Sequence, residues 1–353
     1  MKIKLNFMVI AFALIVAGCI TLAVIQQLSN VTLTLARQKT MYMAYQYASE
    51  WDVKINGYIK VLQTLSNIMN FYESIEPDMR RQTCEKTIQS VFEDMPEFVR
   101  MFTVWKPGAI DDMDARNIGR VGSTATGQFA FTLTRETGQI APMTSDVVQE
   151  AMAHLTGLNS ESVEMVDPTV IKLSGKDTWC IRIMVPILNK RLNESVAVIG
   201  CQFNIDILQL LIEQTIKDNG GISSMAIYTN TGFILANYLP ELIGKQLVDA
   251  EIKYGSYLNE VAEAVKNAEE YECLSYDPEM KTNMVMALAP IHLAASPTTW
   301  TLMVGSTEKY ILRDVSKLRL VVIVFMSITT VVAIVIKCFG PNRTIKPKSK
   351  RRR

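Results

Sequence analysis

Histidine is scarce in this sequence: His154 and His292 are the only two among 353 residues, and they do not form a pair at metal-ligand spacing. The sequence also lacks a Gly-x-Ser-x-Gly nucleophile elbow. Gly119, Gly122 and Gly127 are followed by neither Lys-Ser nor Lys-Thr, so a phosphate-binding loop is not predicted. These absences leave no catalytic constellation, and we expect a protein that is not an enzyme and that uses no cofactor or metal.

Proline is absent before Pro77, and apolar residues between positions 44 and 72 recur at alternating spacings of four and three, which is the helical period. Because the single glycine in this stretch, Gly57, costs a helix only about 1 kcal/mol, we predict one long helix over residues 26–76. The apolar seam either packs on the chain's own domain, which we favour, or joins a second copy in a homodimer coiled coil. The seam consists of Ala44, Ala48, Trp51, Ile55, Tyr58, Leu62, Leu65, Met69 and Tyr72.

Charge is absent from two long apolar segments, residues 5–25 and 320–336. In a helix, each is long enough to cross a hydrocarbon layer of about 30 Å. We therefore predict transmembrane helices over residues 5–25 and 317–336. Val-Ala-Gly-Cys at 16–19 is similar to a lipoprotein cleavage box, but the apolar run continues past Cys19, so an uncut helix is preferred.

Acidic residues are absent from both ends of the chain. Residues 1–4 and 337–353 hold ten of the 36 Lys and Arg, whereas all 35 Asp and Glu lie between them. Positive flanks stay on the cytoplasmic side, so we predict a cytoplasmic N-terminus over 1–4, a basic cytoplasmic tail over 337–353 and a periplasmic ectodomain between two passes through the inner cell membrane. The acidic ectodomain does not suit nucleic acid, and the tail is interpreted as a membrane-surface anchor.

After Pro77 the apolar period changes. Helices are predicted over 77–98, 147–155, 207–217 and 258–267, with Asp206 as an N-cap. Alternating and β-branched runs predict two groups of strands. The first group is 98–105, 128–135, 163–173, 178–188 and 195–205, and the second is 225–228, 233–237, 271–276, 283–292 and 298–305. The predicted fold class is α+β, with two stacked antiparallel-sheet modules, 77–205 and 206–316, carried on the long helix.

Cysteine can be oxidised in an external domain. If strands 178–188 and 195–205 form a hairpin with Val185 opposite Val196, then Cys180 lies opposite Cys201, and a cross-strand disulfide is feasible. Two buried thiols are the alternative, which we favour because the register cannot be fixed from sequence.

Three aspartates, Asp111, Asp112 and Asp114, crowd one predicted loop. They could hold calcium, but the ligand spacing of a calcium-binding loop, with its central glycine and closing glutamate, is missing. We therefore predict a solvated acidic turn rather than a metal site.

Several short stretches carry a family resemblance. Residues 225–236 read Met-Ala-Ile-Tyr-Thr-Asn-Thr-Gly-Phe-Ile-Leu-Ala, residues 240–247 read Pro-Glu-Leu-Ile-Gly-Lys-Gln-Leu, and Val-Pro-Ile at 185–187 with Val-Ile-Gly at 198–200 precede a helix. With the long helix and the two membrane helices, they resemble the double Cache (dCache) sensor region of bacterial methyl-accepting chemotaxis proteins over nearly the whole chain. The resemblance implies two stacked PAS-like (Cache) modules, membrane-distal over 77–205 and membrane-proximal over 206–316.

The resemblance implies a chemotaxis receptor in signal transduction, which binds a small-molecule ligand in the distal module and transmits through the second membrane helix. Such a receptor continues into a HAMP linker and a long cytoplasmic coiled coil, whereas only residues 337–353 follow here. The sequence is then either a truncated receptor or one that acts through a partner. Two alternatives stay open: the sensor half of a histidine kinase or cyclic-dinucleotide enzyme, and a ligand-free structural envelope protein.

The resemblance also implies a ligand pocket within residues 77–205. Members that bind amino acids carry a Trp-Tyr pair and an aspartate where this chain has Gln202, and a neutral amide does not neutralise a buried ammonium. The hairpin register above sets Trp179 and Gln202 on one face of the sheet. A pocket there would have aromatic walls, an amide and one cation, which suits a small organic anion or an uncharged polar ligand. Alternatively, Phe131 and Trp179 are core and Arg135 is a surface charge. The candidate ligand-binding residues are Trp105, Phe129, Phe131, Arg135, Asp167, Trp179 and Gln202.

Overall fold

The computed structural model describes residues 2–156, 162–294 and 296–339. Within them, a long N-terminal helix and two antiparallel sheets form an α+β structure, as the sequence predicts. The residues group into two compact units. One is Arg37–Thr307, and the other combines the flanking segments up to Ala36 and from Glu308 onward. The predicted basic tail beyond Phe339 lies outside the described residues.

Each predicted helix and strand is present. The strand 98–105 and the helix 258–267 have the predicted ends and the others have shifted ends, while the strand 141–144 and the short helices 247–250 and 308–311 are additional. The predicted N-cap at Asp206 is wrong, because Asp206 is the first helical residue and its N–H donates to Asn204 Oδ1 at 2.8 Å. The helices are α1 (Lys2–Met69), α2 (Pro77–Asp94), α3 (Val148–Thr156), α4 (Asp206–Asp218), α5 (Leu247–Ala250), α6 (Leu258–Asn267), α7 (Glu308–Ile311) and α8 (Arg313–Phe339). The strands are β1 (Phe98–Trp105), β2 (Ala130–Thr134), β3 (Ala141–Thr144), β4 (Glu164–Leu173), β5 (Lys176–Asn189), β6 (Glu194–Asn204), β7 (Ser224–Thr229), β8 (Ile234–Asn237), β9 (Tyr271–Asp277), β10 (Thr282–His292) and β11 (Thr299–Thr307).

Two helices are long and apolar enough to cross a membrane, judged by length and composition. They are the α1 helix and the first part of α8, Arg313–Val332, at the two predicted places. Within the unit that holds the start of α1 and α8, the Met326 side chain packs directly on Gly18. A residue without a side chain lets two helices approach closely, as is typical of helix contacts in membranes.

The apolar seam, which follows α1 to Met69 and ends at Tyr72 just beyond the helix, is buried along its whole length, with exposed fractions between 0% at Ala44 and Leu62 and 7% at Tyr72. It packs against residues of both sheets in one continuous core, which includes Phe98 from the first sheet and Trp300 from the second. The four-and-three spacing is therefore satisfied by the chain's own sheets, which is the interpretation that the sequence favours. That face of α1 is not free to form a coiled coil with a second copy.

The two sheets share one plan. The first has the strand order β3-β2-β1-β6-β5-β4 and the second β8-β7-β11-β10-β9, and neighbouring strands are antiparallel. One face of each sheet, the α1 face, packs on α1. The opposite face of the first sheet is covered by α3 and that of the second by α6, so we name them the α3 face and the α6 face. Side chains alternate between the two faces along each strand.

The favoured interpretation of Cys180 and Cys201 as two buried thiols is confirmed, whereas the hairpin register that would have allowed a disulfide between them is wrong. In the β5–β6 hairpin Val185 pairs with Ile199, so Cys180 lies opposite Asn204 rather than opposite Cys201. The register differs by three residues from the predicted one, and an odd shift sends the two sulfurs to opposite faces of the sheet. Both are free, buried thiols, and burial raises the pKa of Cys180 to about 12. A bulge between Ile187 and Leu188 moves the register, and sequence spacing does not reveal it.

The predicted solvated acidic turn is wrong as well, because the Arg81 guanidinium fills it. Arg81 is 2% exposed, and it donates to both carboxylate oxygens of Asp111, at 2.7 and 3.0 Å, and to Asp114 at 2.7 Å. Further donations reach Ser123 Oγ at 3.2 Å and the Gly127 carbonyl at 2.9 Å. The charge that the sequence suggests for calcium is thus neutralised by a side chain of α2.

The α1 seam makes a first prediction. Ile59 is 0% exposed in the core between α1 and the sheets, whereas Ile68 on the same helix is 55% exposed. We expect Ile59→Ala to lower the free energy of unfolding by about 2–5 kcal/mol, because it opens a cavity in a packed core. The matched substitution Ile68→Ala should cost less than about 1 kcal/mol. Denaturant unfolding of the full chain measures both, and equal losses would contradict the assignment of the two faces.

The Arg81 cluster makes a second prediction. We expect Arg81→Met to destabilise the protein at pH 7 by about 3–5 kcal/mol, because it leaves a buried carboxylate without its partner. Burial favours the neutral acid, but the Arg81 guanidinium and the Met113 N–H together hold the pKa of Asp111 below its usual value. A lowered native pKa stabilises the fold above the unfolded pKa, and that stabilisation is lost as pH falls.

The cost of Arg81→Met should therefore shrink as the pH is lowered toward that of the unfolded carboxylate, near 4. Urea unfolding of wild type and variant at several pH values measures this cost. Arg120→Met is the control, since Arg120 is 42% exposed and pairs with Glu85 at the surface. A cost for Arg81→Met that is the same at every pH would show that Asp111 does not depend on Arg81.

Candidate functional site

Three of the predicted site residues are core residues on the α1 face. Trp105, Phe129 and Phe131 are between 1% and 6% exposed and belong to the core around α1. The Phe129 and Phe131 rings are stacked with their centroids 6.3 Å apart, and Trp105 meets the Tyr72 ring edge-on at 4.9 Å. Phe129 and Phe131 lie on one face of the first sheet, but that face packs on α1 and not on an open pocket.

The Arg135 side chain binds the backbone at the carboxyl end of α2. Its guanidinium donates to the carbonyl oxygens of Met95 at 3.1 Å, of Phe98 at 2.7 Å and of Phe92. It also lies 3.9 Å from the centroid of the Phe92 ring. A cation is favourable at the carboxyl end of a helix, where carbonyls lack partners. Arg135 is therefore a helix cap, and the cation of a ligand site has to come from another residue.

Trp179 and Asp167 lie where the first sheet meets the second. The Trp179 indole packs edge-on against Phe233 with centroids 5.2 Å apart, and it also contacts Gly244. Asp167 Oδ2 accepts a hydrogen bond from Thr231 Oγ1 at 3.0 Å. Both residues join the two sheets of Arg37–Thr307. The prediction that Trp179 shares a face with Gln202 is wrong, for the same three-residue shift in register that separates the cysteines.

Gln202 is fully buried on the α3 face, and two arginines flank it. Arg100 on β1 and Arg182 on β5 stand directly opposite Gln202 in the two neighbouring strands. With its amide oxygen turned toward Arg182, Gln202 accepts from Nη2 at 3.0 Å and from Nε at 3.1 Å. The structure thus pairs the predicted amide with arginines that the sequence analysis did not select.

The two arginines differ in how well they are neutralised. Arg100 donates to the Glu136 carboxylate and to both oxygens of Asp146, at 2.9 and 3.1 Å. Arg182 forms its ion pair with Glu150, at 4.0 Å, and the Glu150 side chain is 54% exposed. Burial lowers the pKa of Arg182, although nearby carboxylates oppose the effect. Arg182 is therefore a buried cation whose counter-charge is distant and solvated.

Three polar atoms on or next to the α3 face lack a hydrogen bond within the described part of the chain. Thr132 Oγ1 lies on the α3 face of β2, Ser145 Oγ lies just before α3, and His154 Nε2 lies on α3 itself. All three atoms are buried. Buried polar groups normally have partners, so unpaired ones indicate a place that a ligand or water completes.

A cavity of about 490 Å³ opens beside α3, and of the residues described above it is lined by Glu150 and His154 rather than by Arg100 or Arg182. Glu150 and His154 of α3 line one side, Met184 and Val166 of the first sheet line another, and Thr298 comes from the loop before β11. Glu150 both lines this cavity and approaches Arg182, so its side chain connects the cavity to the buried cation. A volume of this size admits a small organic molecule.

The sequence does carry a signal for Arg100 and Arg182. Each is the single charge inside an apolar run of its strand, Phe-Val-Arg-Met-Phe in β1 and Cys-Ile-Arg-Ile-Met in β5. Arginine is rarely buried without a partner, so a lone arginine in a central strand deserves a functional interpretation. Selecting the strand-end Arg135 instead missed both.

No protein-family model matches the sequence, and no curated protein matches it. Solved structures do match the fold. One is the extracellular domain of mmHK1S-Z3, a protein described as a histidine kinase. Its sequence is 18% identical to this chain, the TM-score is 0.66, and the match covers 80% of this chain and 98% of that chain. The periplasmic sensory domain of the Campylobacter jejuni chemoreceptor Tlp1 is 14% identical with a TM-score of 0.63 and the same coverage, 80% and 98%.

The ligand-binding domain of PctC, an amino-acid chemoreceptor of Pseudomonas aeruginosa PAO1 solved with GABA, is 13% identical, with a TM-score of 0.50 over 76% of this chain and 99% of that chain. At these identities the matches establish the fold alone. The resemblance to a double Cache sensor region is thus confirmed at the level of the fold.

Proposed function

We propose, on the premise that the chain has the fold of extracellular and periplasmic sensor domains, that it is the ligand-sensing region of a membrane receptor of the chemotaxis, methyl-accepting type. In this proposal α1 and α8 cross the inner cell membrane, and Arg37–Thr307 lies on the periplasmic side. The apolar length of both helices supports the anchoring. Ligand binding shifts a two-state equilibrium, and α8 carries the change across the membrane.

The proposed ligand site is the α3 face of the first sheet, with Arg182 and Gln202 as its anchors. The observation that carries it is the buried Arg182 guanidinium, whose counter-charge, Glu150, is 4.0 Å away and half exposed. A guanidinium binds a carboxylate through two parallel hydrogen bonds, and in a buried site this pairing is strong. Thr132 and Ser145 add two hydroxyl groups without partners among the described residues.

These features favour a small organic carboxylate. PctC was solved with GABA, and the Pseudomonas fluorescens chemoreceptor CtaA, whose TM-score is 0.50, was solved with L-leucine; both molecules carry a carboxylate. The ligand carboxylate would replace Glu150 as the counter-charge of Arg182, and the Glu150 side chain would turn to solvent.

A substitution at Arg182 tests this site. Small carboxylates are screened by thermal shift against the full chain in lipid nanodiscs, and hits are titrated by calorimetry. We expect Arg182→Met to weaken binding about 100-fold, because the ligand charge then stays unpaired in a buried site. Arg191→Met is the matched control, since the Arg191 side chain is 75% exposed, and it should bind as wild type does. Unchanged affinity in Arg182→Met, or no carboxylate that binds at all, rejects the site.

A substitution at Glu150 should change the affinity for carboxylates in the opposite direction. Glu150→Gln removes a negative charge that competes with the ligand for Arg182, so we expect affinity for simple carboxylates to rise about fivefold to tenfold. Glu194→Gln, at an exposed position at the start of β6, serves as the control for net charge. A loss of affinity in Glu150→Gln would mean that Glu150 binds a cationic group of the ligand, and it would overturn the assignment of a simple anion.

A second candidate output is the sensor region of a histidine kinase, which the likeness to the mmHK1S-Z3 domain favours. The two candidate functions have the same ligand site, and they differ in the cytoplasmic domain to which the second membrane helix transmits the change. The coding sequence downstream of Arg353 separates them: a HAMP linker with a long coiled coil favours the chemotaxis type, and a kinase domain favours the other. A protein that binds nothing in the screen would instead be a structural envelope protein.

A further inference from the structure

The α6 face of the second sheet buries an ion pair. Lys253 Nζ lies 2.7 Å from Glu251 Oε2, and the two residues are 3% and 1% exposed. The contact is an ion pair rather than a well-directed hydrogen bond. Lysine is rarely buried, and removing two charges from water costs several kcal/mol per ion, on the order of what their attraction returns. Such a pair is retained only where its surroundings are built for it.

The carboxylate half of the pair is fixed without help from lysine. Glu251 Oε1 accepts hydrogen bonds from Tyr228 Oη at 2.7 Å and from Asn237 Nδ2 at 2.6 Å, and both donors are 0% exposed. Burial, and then the charge of Glu251, raise the pKa of Tyr228 well above its usual value, so its hydroxyl remains a donor. Asn237 is held in turn, because its N–H donates to Gln209 Oε1 at 3.0 Å.

The ammonium half lies against two aromatic rings. Lys253 Nζ is 4.8 Å from the centroid of the Tyr238 ring and 5.5 Å from that of Tyr254. Tyr238 Oη donates to the buried Asp277 at 2.8 Å, and Tyr254 Oη lies 3.0 Å from Tyr228 Oη. Each ring is thus oriented by a contact that does not involve lysine. A carboxylate with tyrosine faces is the combination that recognises an ammonium group.

From this arrangement we infer that the second sheet contains a preformed site for a primary alkylammonium, and that the chain's own Lys253 occupies it. Lys253 reaches the site from Ile252–Tyr257, a segment kinked at Gly255, whose φ of 53° suits glycine. Because Glu251, Tyr228, Tyr238 and Tyr254 are held by one another and by Asn237 and Asp277, the site persists when the lysine side chain is shortened. The inference does not depend on the proposed ligand of the first sheet.

Chemical rescue tests the inference directly. Lys253→Ala removes three methylene groups and the ammonium, which together correspond to propylammonium. In the full chain in nanodiscs, we expect the variant to melt at lower temperature than wild type. Propylammonium should then raise its melting temperature saturably by at least about 3 °C, because a ligand bound only by the folded state stabilises it. Wild type should show no saturable rise, because its site is filled.

Controls separate recognition of the ammonium from filling of a cavity. Propanol has nearly the same shape without the charge, and the four methyl groups of tetramethylammonium keep its nitrogen from approaching Glu251 as closely as 2.7 Å, so neither should rescue Lys253→Ala. Lys253→Met refills the space without charge and should not respond to propylammonium. Lys266→Ala, at a side chain that is 68% exposed, should neither lose stability nor respond. Rescue by propanol equal to that by propylammonium, or no rescue of a folded Lys253→Ala, overturns the inference.

A measurement on the wild type keeps the inference testable if Lys253→Ala does not fold. Reductive methylation followed by mass spectrometry reports which lysine ammonium groups are accessible. Lys253 should remain unmodified when Lys266 is fully modified, and Tyr238→Ala, which removes one wall, should bring Lys253 closer to the rate of Lys266. Equal modification of Lys253 and Lys266 in the wild type would show that Lys253 does not occupy a closed site.

Discussion

The packing of α1 against both sheets is the constraint on which the rest of Arg37–Thr307 depends. One helical seam, from Ala44 to Tyr72, buries its apolar residues against the first and the second sheet in a single core. Burial of apolar area is the main driving force of folding, so this contact decides which sheet faces become dry and apolar. Polar chemistry is left to the opposite faces, which α3 and α6 cover separately.

The α3 face and the α6 face each bury a positive charge, and they differ in how closely that charge is neutralised. On the α6 face the Lys253 charge has a carboxylate at 2.7 Å, which two buried donors orient in turn. On the α3 face the Arg182 charge has an amide and a carboxylate at 4.0 Å. An incompletely compensated buried charge destabilises a protein on its own, and it gains most from an added counter-charge. We therefore propose the ligand site on the face with the less stable arrangement.

Sequence periodicity predicted the elements well, because helical and alternating patterns are local properties. Periodicity did not predict features that a single residue can change, such as the register between two strands. The β5–β6 register depends on a turn and a bulge at Ile187 and Leu188, and an error of three residues exchanged the faces of Trp179 and Cys180. For the same reason the predicted pocket combined aromatic residues of the α1 face with Gln202 of the α3 face. The choice of Arg135 over Arg182 failed because helix capping by a strand-end arginine is a tertiary contact.

β5 connects the candidate site to the second sheet without an intervening loop. Arg182 and Trp179 lie three residues apart on this strand and point to opposite faces, one toward Gln202 and the other into the contact with Phe233 and Gly244. A side chain at position 244 would stand within about 3 Å of the indole, so that contact has no spare room. Close-packed interiors transmit small displacements, because they deform little. Any shift of β5 that a counter-charge at Arg182 produces must therefore be accommodated by the second sheet.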